Sequence, residues 1–258
     1  MFKKLLSIAF GTILFSSMFY NSAEASEQAG TMGQGYKKYI AQEGKQENKA
    51  GRQETMEEAA VRARENSVLD LSEWQGTLTS AQVKKLKSNY DFIILRAQYG
   101  SDYKDKTFAT NSQLLDANNM KYGVYSYSMY EDPNDARVEA RSLYNRAPNA
   151  SFYVNDYEED RVTSGDANES TVAWLDEMRK YSGNKKVLLY SYEDFMENNI
   201  AESVPSYDGL WLAAYQDTEP EREHVMWQYT DSYYSEELDQ NVDANVLGPN
   251  VQTSWLLS

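Results

Sequence analysis

The chain contains no cysteine. That excludes disulfides, cysteine nucleophiles, thiolate zinc sites and a lipid-modified cysteine. Histidine occurs once, as His224, with no serine–histidine–acid or histidine-cluster pattern around it, and reads as structural. No phosphate loop or dinucleotide fingerprint is present. Asp102, Asp105 and Asp116 lack the glycine and glutamate spacing of a calcium loop and read as helix-flanking acids, so no metal or other cofactor is expected. Positive charge is scarce: 25 Lys and Arg stand against 40 Asp and Glu, a net charge of −15. Nucleic acid is therefore not an expected partner, because it needs a basic footprint. An anionic polymer would not be attracted by net charge either. A neutral glycan, held by stacking and hydrogen bonds, suits this surface.

Long apolar runs are also scarce. One spans Leu5 to Tyr20, preceded by Lys3 and Lys4 and followed by the small-x-small site Ala23-Glu24-Ala25. Ser7, Gly11, Ser16 and Ser17 interrupt it and it is short for a membrane span. It reads as a secretory signal peptide over residues 1–25, cleaved near Ala25. The mature chain is expected to be secreted or associated with the cell wall, not membrane-bound, and monomeric. Without residues 1–25 it has 23 basic and 39 acidic residues, since Lys3, Lys4 and Glu24 are lost. A secreted chain without cysteine fits export from a Gram-positive type of bacterium.

Residues 26–66 are rich in Gln, Glu, Lys, Gly and Ala and poor in branched apolar residues. Such a segment buries too little apolar area to offset its ordering entropy. It reads as a flexible polar linker, with helical spacing of Met56, Ala59, Ala60 and Ala63 over Glu54 to Glu65. The domain occupies residues 67–258. Strands are expected at 68–72, 92–98, 122–128, 152–158 and 187–192, with helices after Thr79 and over 106–119, 133–146, 169–181 and 194–199. Asp132 with Pro133 signals one helix start and Gly183 one stop. Three further short strands, at 209–215, 225–230 and 241–246, follow without long helices. Alternation of this kind argues for an α/β fold with a parallel sheet. Eight strands with about five helices argue for a closed, TIM-like barrel lacking some late helices. An open doubly wound sheet is the runner-up, but no glycine-rich turn follows the first strand.

In such barrels reactive groups sit at the C-terminal strand ends. Asp70 lies near the end of the first strand, Asp156 and Glu158 end the fourth, and Asp243 lies in the last. Asp156 and Glu158 are two apart, so in extended backbone they share a face. Each penalises ionisation of the other, which suits a carboxyl that must hold a proton near neutral pH. Closure makes the first and last strands neighbours, so four acids can converge on one mouth, as the two-carboxylate chemistry of glycoside hydrolysis requires. Scattered surface acids are the plain alternative. The chain also carries 21 tyrosines and five tryptophans. Many pack in the core; Tyr127, Tyr190, Trp211, Tyr215 and Trp227 are expected to line a sugar-binding groove.

Residues 67–258 resemble glycoside hydrolase family 25, the muramidases of bacteria and phages. The resemblance rests on segments in family order: Asp70-Leu71-Ser72 with Trp74-Gln75-Gly76, Phe92 to Ala97, Asn111, Tyr122 to Tyr127, Asp156-Tyr157-Glu158, Leu189-Tyr190, Leu210 to Ala213 with Tyr215, Trp227-Gln228-Tyr229, and Val242 to Asn245. It implies a (β/α)5(β)3 barrel, Glu158 as general acid, and Asp70, Asp156 and Asp243 as the other active-site carboxylates. It implies as substrate the peptidoglycan glycan strand, cut at the β-1,4 bond between N-acetylmuramic acid and N-acetylglucosamine. Asn155 departs from the apolar residue usual before the Asp, which puts the pairing of Asp156 and Glu158 in doubt. The polar run Asp217 to Glu223 puts the groove's shape in doubt. The rival expectation is a catalytically inactive glycan-binding module on a tether.

Overall fold

The computed structural model describes residues 30–42 and 67–258, and the statements below refer to these. The expected signal peptide and the helical spacing over Glu54 to Glu65 lie outside them.

Eight strands close into a barrel: β1 (Ser67–Leu71), β2 (Phe92–Tyr99), β4 (Lys121–Tyr127), β5 (Tyr153–Asp156), β6 (Val187–Tyr192), β7 (Gly209–Ala213), β8 (Met226–Ser235) and β9 (Gln240–Leu247). A two-residue strand, β3 (Tyr103–Lys104), is appended antiparallel to β2. Strands β1 to β8 of the barrel run parallel, as the alternating pattern implies. The final strand departs from that pattern: β9 is antiparallel to both β8 and β1 and closes the ring. A short connection from β8 permits only a hairpin, since a parallel return needs a crossover of a dozen or more residues.

Local chemistry sets the helix boundaries. Thr79 opens α2 (Ser80–Asn89) with a capping box, its side chain accepting from the Gln82 amide. Next comes α3 (Phe108–Ala117). Asp132 Oδ1 accepts from the Asn134 and Asp135 amides at 2.7 and 2.9 Å, and Pro133 occupies the first turn of α4 (Pro133–Arg146). Asp166 caps α5 (Ala167–Ser182), and Gly183 ends it with φ near +60°. The expected helix at 194–199 is a helical turn, Glu193–Phe195, running into a π turn, Met196–Ile200. A short α6 (Thr253–Leu257), not expected, follows the last strand.

Strand β2 is buried through seven of its eight residues, as a strand wrapped by helices must be. Gly123 in β4 is required: a Cβ there would lie 2.2 Å from the Phe152 ring, which packs edge-on against Phe92.

Within the span 26–66, residues 34–42 depart from the linker expectation. They form α1 (Gln34–Gln42), which packs on the mouth of the barrel. Met32, just before it, is fully buried.

Candidate active site

The antiparallel course of β9 decides where Asp243 goes. It brings the first half of β9 to the rim where the parallel strands end, and its register sets Asp243 directly opposite Asp70. Directly opposed residues project to the same face, so two carboxylates stand side by side. Across the mouth, Asp156 closes β5 and Glu158 lies two residues on. All four are buried: Asp70 1%, Asp156 0%, Glu158 1% and Asp243 6% exposed.

Burial dominates their ionisation. It pushes Asp70 up to about 6, against hydrogen bonds from Asn245, Gln228 and Asp243 that favour the charged form. Asp243 is raised well above the usual carboxylate range by burial and by Asp70 beside it, with the Lys37 ammonium opposing. Asp156 is raised likewise by burial, then by the charge and hydrogen bond of Glu158. Glu158 is pushed up to about 7 by burial, opposed by amides of residues 33, 35 and 36 and by Asp156. Neither oxygen of Asp156 receives a hydrogen bond from an amide or hydroxyl. A proton shared with Glu158 answers that deficit, as for two acids that cannot both ionise at short range.

A polar scaffold orients Asp70. Its Oδ2 accepts from Asn245 Nδ2 at 2.9 Å and Gln228 Nε2 at 3.2 Å. The Gln228 carbonyl accepts from the hydroxyls of Tyr190 (2.6 Å) and Tyr215 (2.9 Å), which turns its amide nitrogen toward Asp70. The Asn245 carbonyl accepts from the Trp211 indole at 2.8 Å, and its Nδ2 also donates to the Val68 carbonyl. Tyr190 and Trp211, expected along the groove, bond to this scaffold. Both are fully buried with α1 in place and pack edge to face at 5.0 Å. Their strand positions point inward, where the barrel has room only for side chains.

The other expected groove residues are divided. Tyr127 is buried, stacks on Tyr99 at 5.2 Å and donates to Glu159 at 3.3 Å. Trp227 is buried with its indole on the Ala214 carbonyl at 2.6 Å. Tyr215 meets Tyr36 of α1 edge-on at 5.1 Å. Tyr192, absent from the expected set, also faces α1. Asn155, expected to bear on the acid pair, points to the other face of β5, where it accepts from Ser128 and donates to Tyr207. Of the polar run at 217–223, Pro220 and Arg222 line a cavity of about 610 Å³ beside α1.

Asp105 takes no part in the acid cluster. It accepts from Arg96, from the Glu73 amide and from the start of α3. His224 meets the Arg222 carbonyl at 2.6 Å and Glu219 at 3.2 Å.

Two buried carboxyl pairs at one barrel mouth, one of them with Glu158 raised to about 7, have the chemistry that acid–base catalysis uses. The sequence model of glycosyl hydrolases family 25 matches residues 69–238. The chain belongs to that family. The match contains Asp70, Asp156 and Glu158 and ends before Asp243. Solved structures agree. The catalytic domain of endolysin ply40 from bacteriophage P40 of Listeria monocytogenes is 25% identical, with TM-score 0.68 over 75% of this chain and 98% of that one. A family 25 glycosyl hydrolase from Streptococcus pneumoniae, described as a virulence factor participating in host cell invasion, is 21% identical, with TM-score 0.65 over 75% and 91%. The autolysin LytC from Streptococcus pneumoniae, solved with a synthetic peptidoglycan ligand, is 24% identical, with TM-score 0.60 over 71% and 46%. Curated proteins offer no match. As a family 25 member the chain is a glycoside hydrolase.

Gln228 and Asn245 were legible in part. Asn245 is two residues from Asp243, so both project to one face of β9. The signal for α1 was weaker: three glycines and the aromatic pair Tyr36 and Tyr39 inside an otherwise polar span.

Proposed function

We propose that this family 25 hydrolase is a muramidase cutting the β-1,4 bond between N-acetylmuramic acid and N-acetylglucosamine in peptidoglycan. The observation that carries this reading is the pair Asp156 and Glu158, buried together with ionisation suppressed. Glu158 gives its proton to the leaving O4 oxygen, so that bond cleavage does not expel an alkoxide. Asp156 orients the substrate N-acetyl group, or a water, from the neighbouring position. Asp70, held by Asn245 and Gln228, and Asp243 face the positive charge that develops on the sugar ring. Their fixed dipoles and partial negative charge need no reorganisation as that charge appears.

The endolysins and autolysin among the structural neighbours support a cell-wall substrate. The leader Lys3 to Ala25 supports export to where such a substrate lies. Digestion of purified peptidoglycan, followed by identification of the new reducing ends, tests the proposal. N-acetylmuramic acid ends are expected. N-acetylglucosamine ends would assign a different bond, and no new ends would favour the glycan-binding module.

A further inference from the structure

We infer that residues 30–42 are a built-in inhibitory segment that occupies the catalytic mouth in place of substrate. The inference rests on the muramidase reading for what the mouth binds, but the docking itself is a matter of contacts.

Both oxygens of Glu158 are taken by this segment. The Gly33 amide donates to Oε1 at 2.6 Å and the Tyr36 amide to Oε2 at 3.1 Å. These amides stand at the start of α1, the end of a helix that attracts a carboxylate. Glu158 thus acts as a capping carboxylate for a helix distant in sequence. These N–H donors oppose the burial that raises Glu158 and draw the shared proton toward Asp156. With both oxygens facing amides, Glu158 presents no proton outward and leaves no room for a leaving oxygen.

The remaining contacts cover the rest of the mouth. Lys38 Nζ lies 2.6 Å from Glu159 and Lys37 Nζ 2.7 Å from Asp231. The Lys37 ammonium is held above its ordinary value: burial opposes this, and Asp231, Asp243 and Glu158 outweigh it. A cation thus sits in the field of acids that would face the positive charge on the sugar. Tyr36 and Tyr39 pack on Tyr192 at 5.4 and 5.3 Å, covering an aromatic surface at the rim.

The fit is specific at three glycines. A Cβ on Gly35 would lie 2.5 Å from Glu158 Cβ and 2.7 Å from its carbonyl oxygen. One on Gly33 would meet the Tyr215 hydroxyl, and one on Gly30 the Tyr99 ring. Both Gly30 and Gly33 also have positive φ, a conformation glycine adopts freely. Residues 43–66 keep the segment on the same chain as the barrel, so it competes with glycan at high effective concentration.

The test compares the full chain with Gly35→Val and with the double variant Lys37→Glu/Lys38→Glu, none of which alters a barrel residue. Three measurements are made on each: hydrogen exchange over residues 30–42, kcat/KM on purified peptidoglycan, and affinity for an N-acetylglucosamine tetramer. A segment docked in roughly nine molecules of ten lowers apparent affinity about tenfold. The expected result is protection of the Gly33 and Tyr36 amides in the parent, loss of protection in both variants, and kcat/KM higher by about that factor. Variants that exchange freely yet turn over no faster, or that lose activity while folded, overturn the inference. Unprotected amides in the parent overturn it as well. Tighter tetramer binding by both variants with no new reducing ends from any protein supports the segment's role and sinks the hydrolytic reading instead.

Discussion

Glu158→Gln separates the proposed catalytic role of this side chain from its cost to the fold. An ordinary glutamate of pKa near 4.5 carries a proton in about one molecule in 300 at pH 7. Burial moves Glu158 to about 7, so roughly half the molecules carry it, a gain on the order of a hundredfold. Glutamine preserves the shape and removes the transferable proton, so kcat on peptidoglycan should fall about 10²–10⁴-fold. Stability should move the other way. Between pH 4.5 and 7 the folded state holds a proton that the unfolded state has released, so wild-type stability falls as pH rises through that window. The shift from 4.5 to about 7 corresponds to a loss on the order of 3 kcal/mol by pH 8. Glutamine does not titrate. Relative to wild type, the variant should therefore gain on the order of 3 kcal/mol between pH 4 and pH 8. Urea unfolding of both proteins at the two pH values measures this difference, and reducing-end release measures the activity. Wild-type turnover by the variant would refute the acid role. Parallel stability profiles would refute the claim that burial holds a proton at this site.

Two further outcomes probe groups outside the acid pair. Glu139, in α4, is buried with its carboxyl pushed up to about 8 by burial; only Oε1 receives a clear hydrogen bond, from the Met129 amide. Its raised pKa makes stability decline as pH rises from about 4.5 to 8, so Glu139→Gln should flatten that part of the thermal unfolding profile and leave peptidoglycan turnover unchanged; an unaltered profile would count against it. Trp211→Phe removes the indole donor to Asn245 and should cost about 1–3 kcal/mol of stability. Because Asn245 holds Asp70, kcat should fall more than KM changes; a KM effect alone would return Trp211 to the role of a sugar contact.

Much of the barrel was legible in the chain because its signals are local. Eight strands can be read from runs such as Phe92 to Gln98, whose apolar side chains need cover on both faces. Asp132 with Pro133 and Thr79 mark helix starts through bonds made within a few residues, and Gly183 marks a stop through its positive φ. The four acids were readable too, since strand ends are where a barrel presents its chemistry. Other features depended on closure. That Asp243 reaches the rim follows from β9 running antiparallel. That Trp211 and Tyr190 serve as supports follows from which side chains fill the barrel interior, a matter of volume that strand alternation alone does not settle.

The segment at 30–42 marks the boundary between the two kinds of information. Its composition is that of a polar tether, and its helix start meets a partner from far along the chain. That partner is Glu158, 125 residues away in sequence. Local patterns determined the strands, the helix ends and the acids of this hydrolase. Only the folded barrel could place a buried carboxylate where the amides of Gly33 and Tyr36 reach it, because such a contact depends on complementarity between distant surfaces.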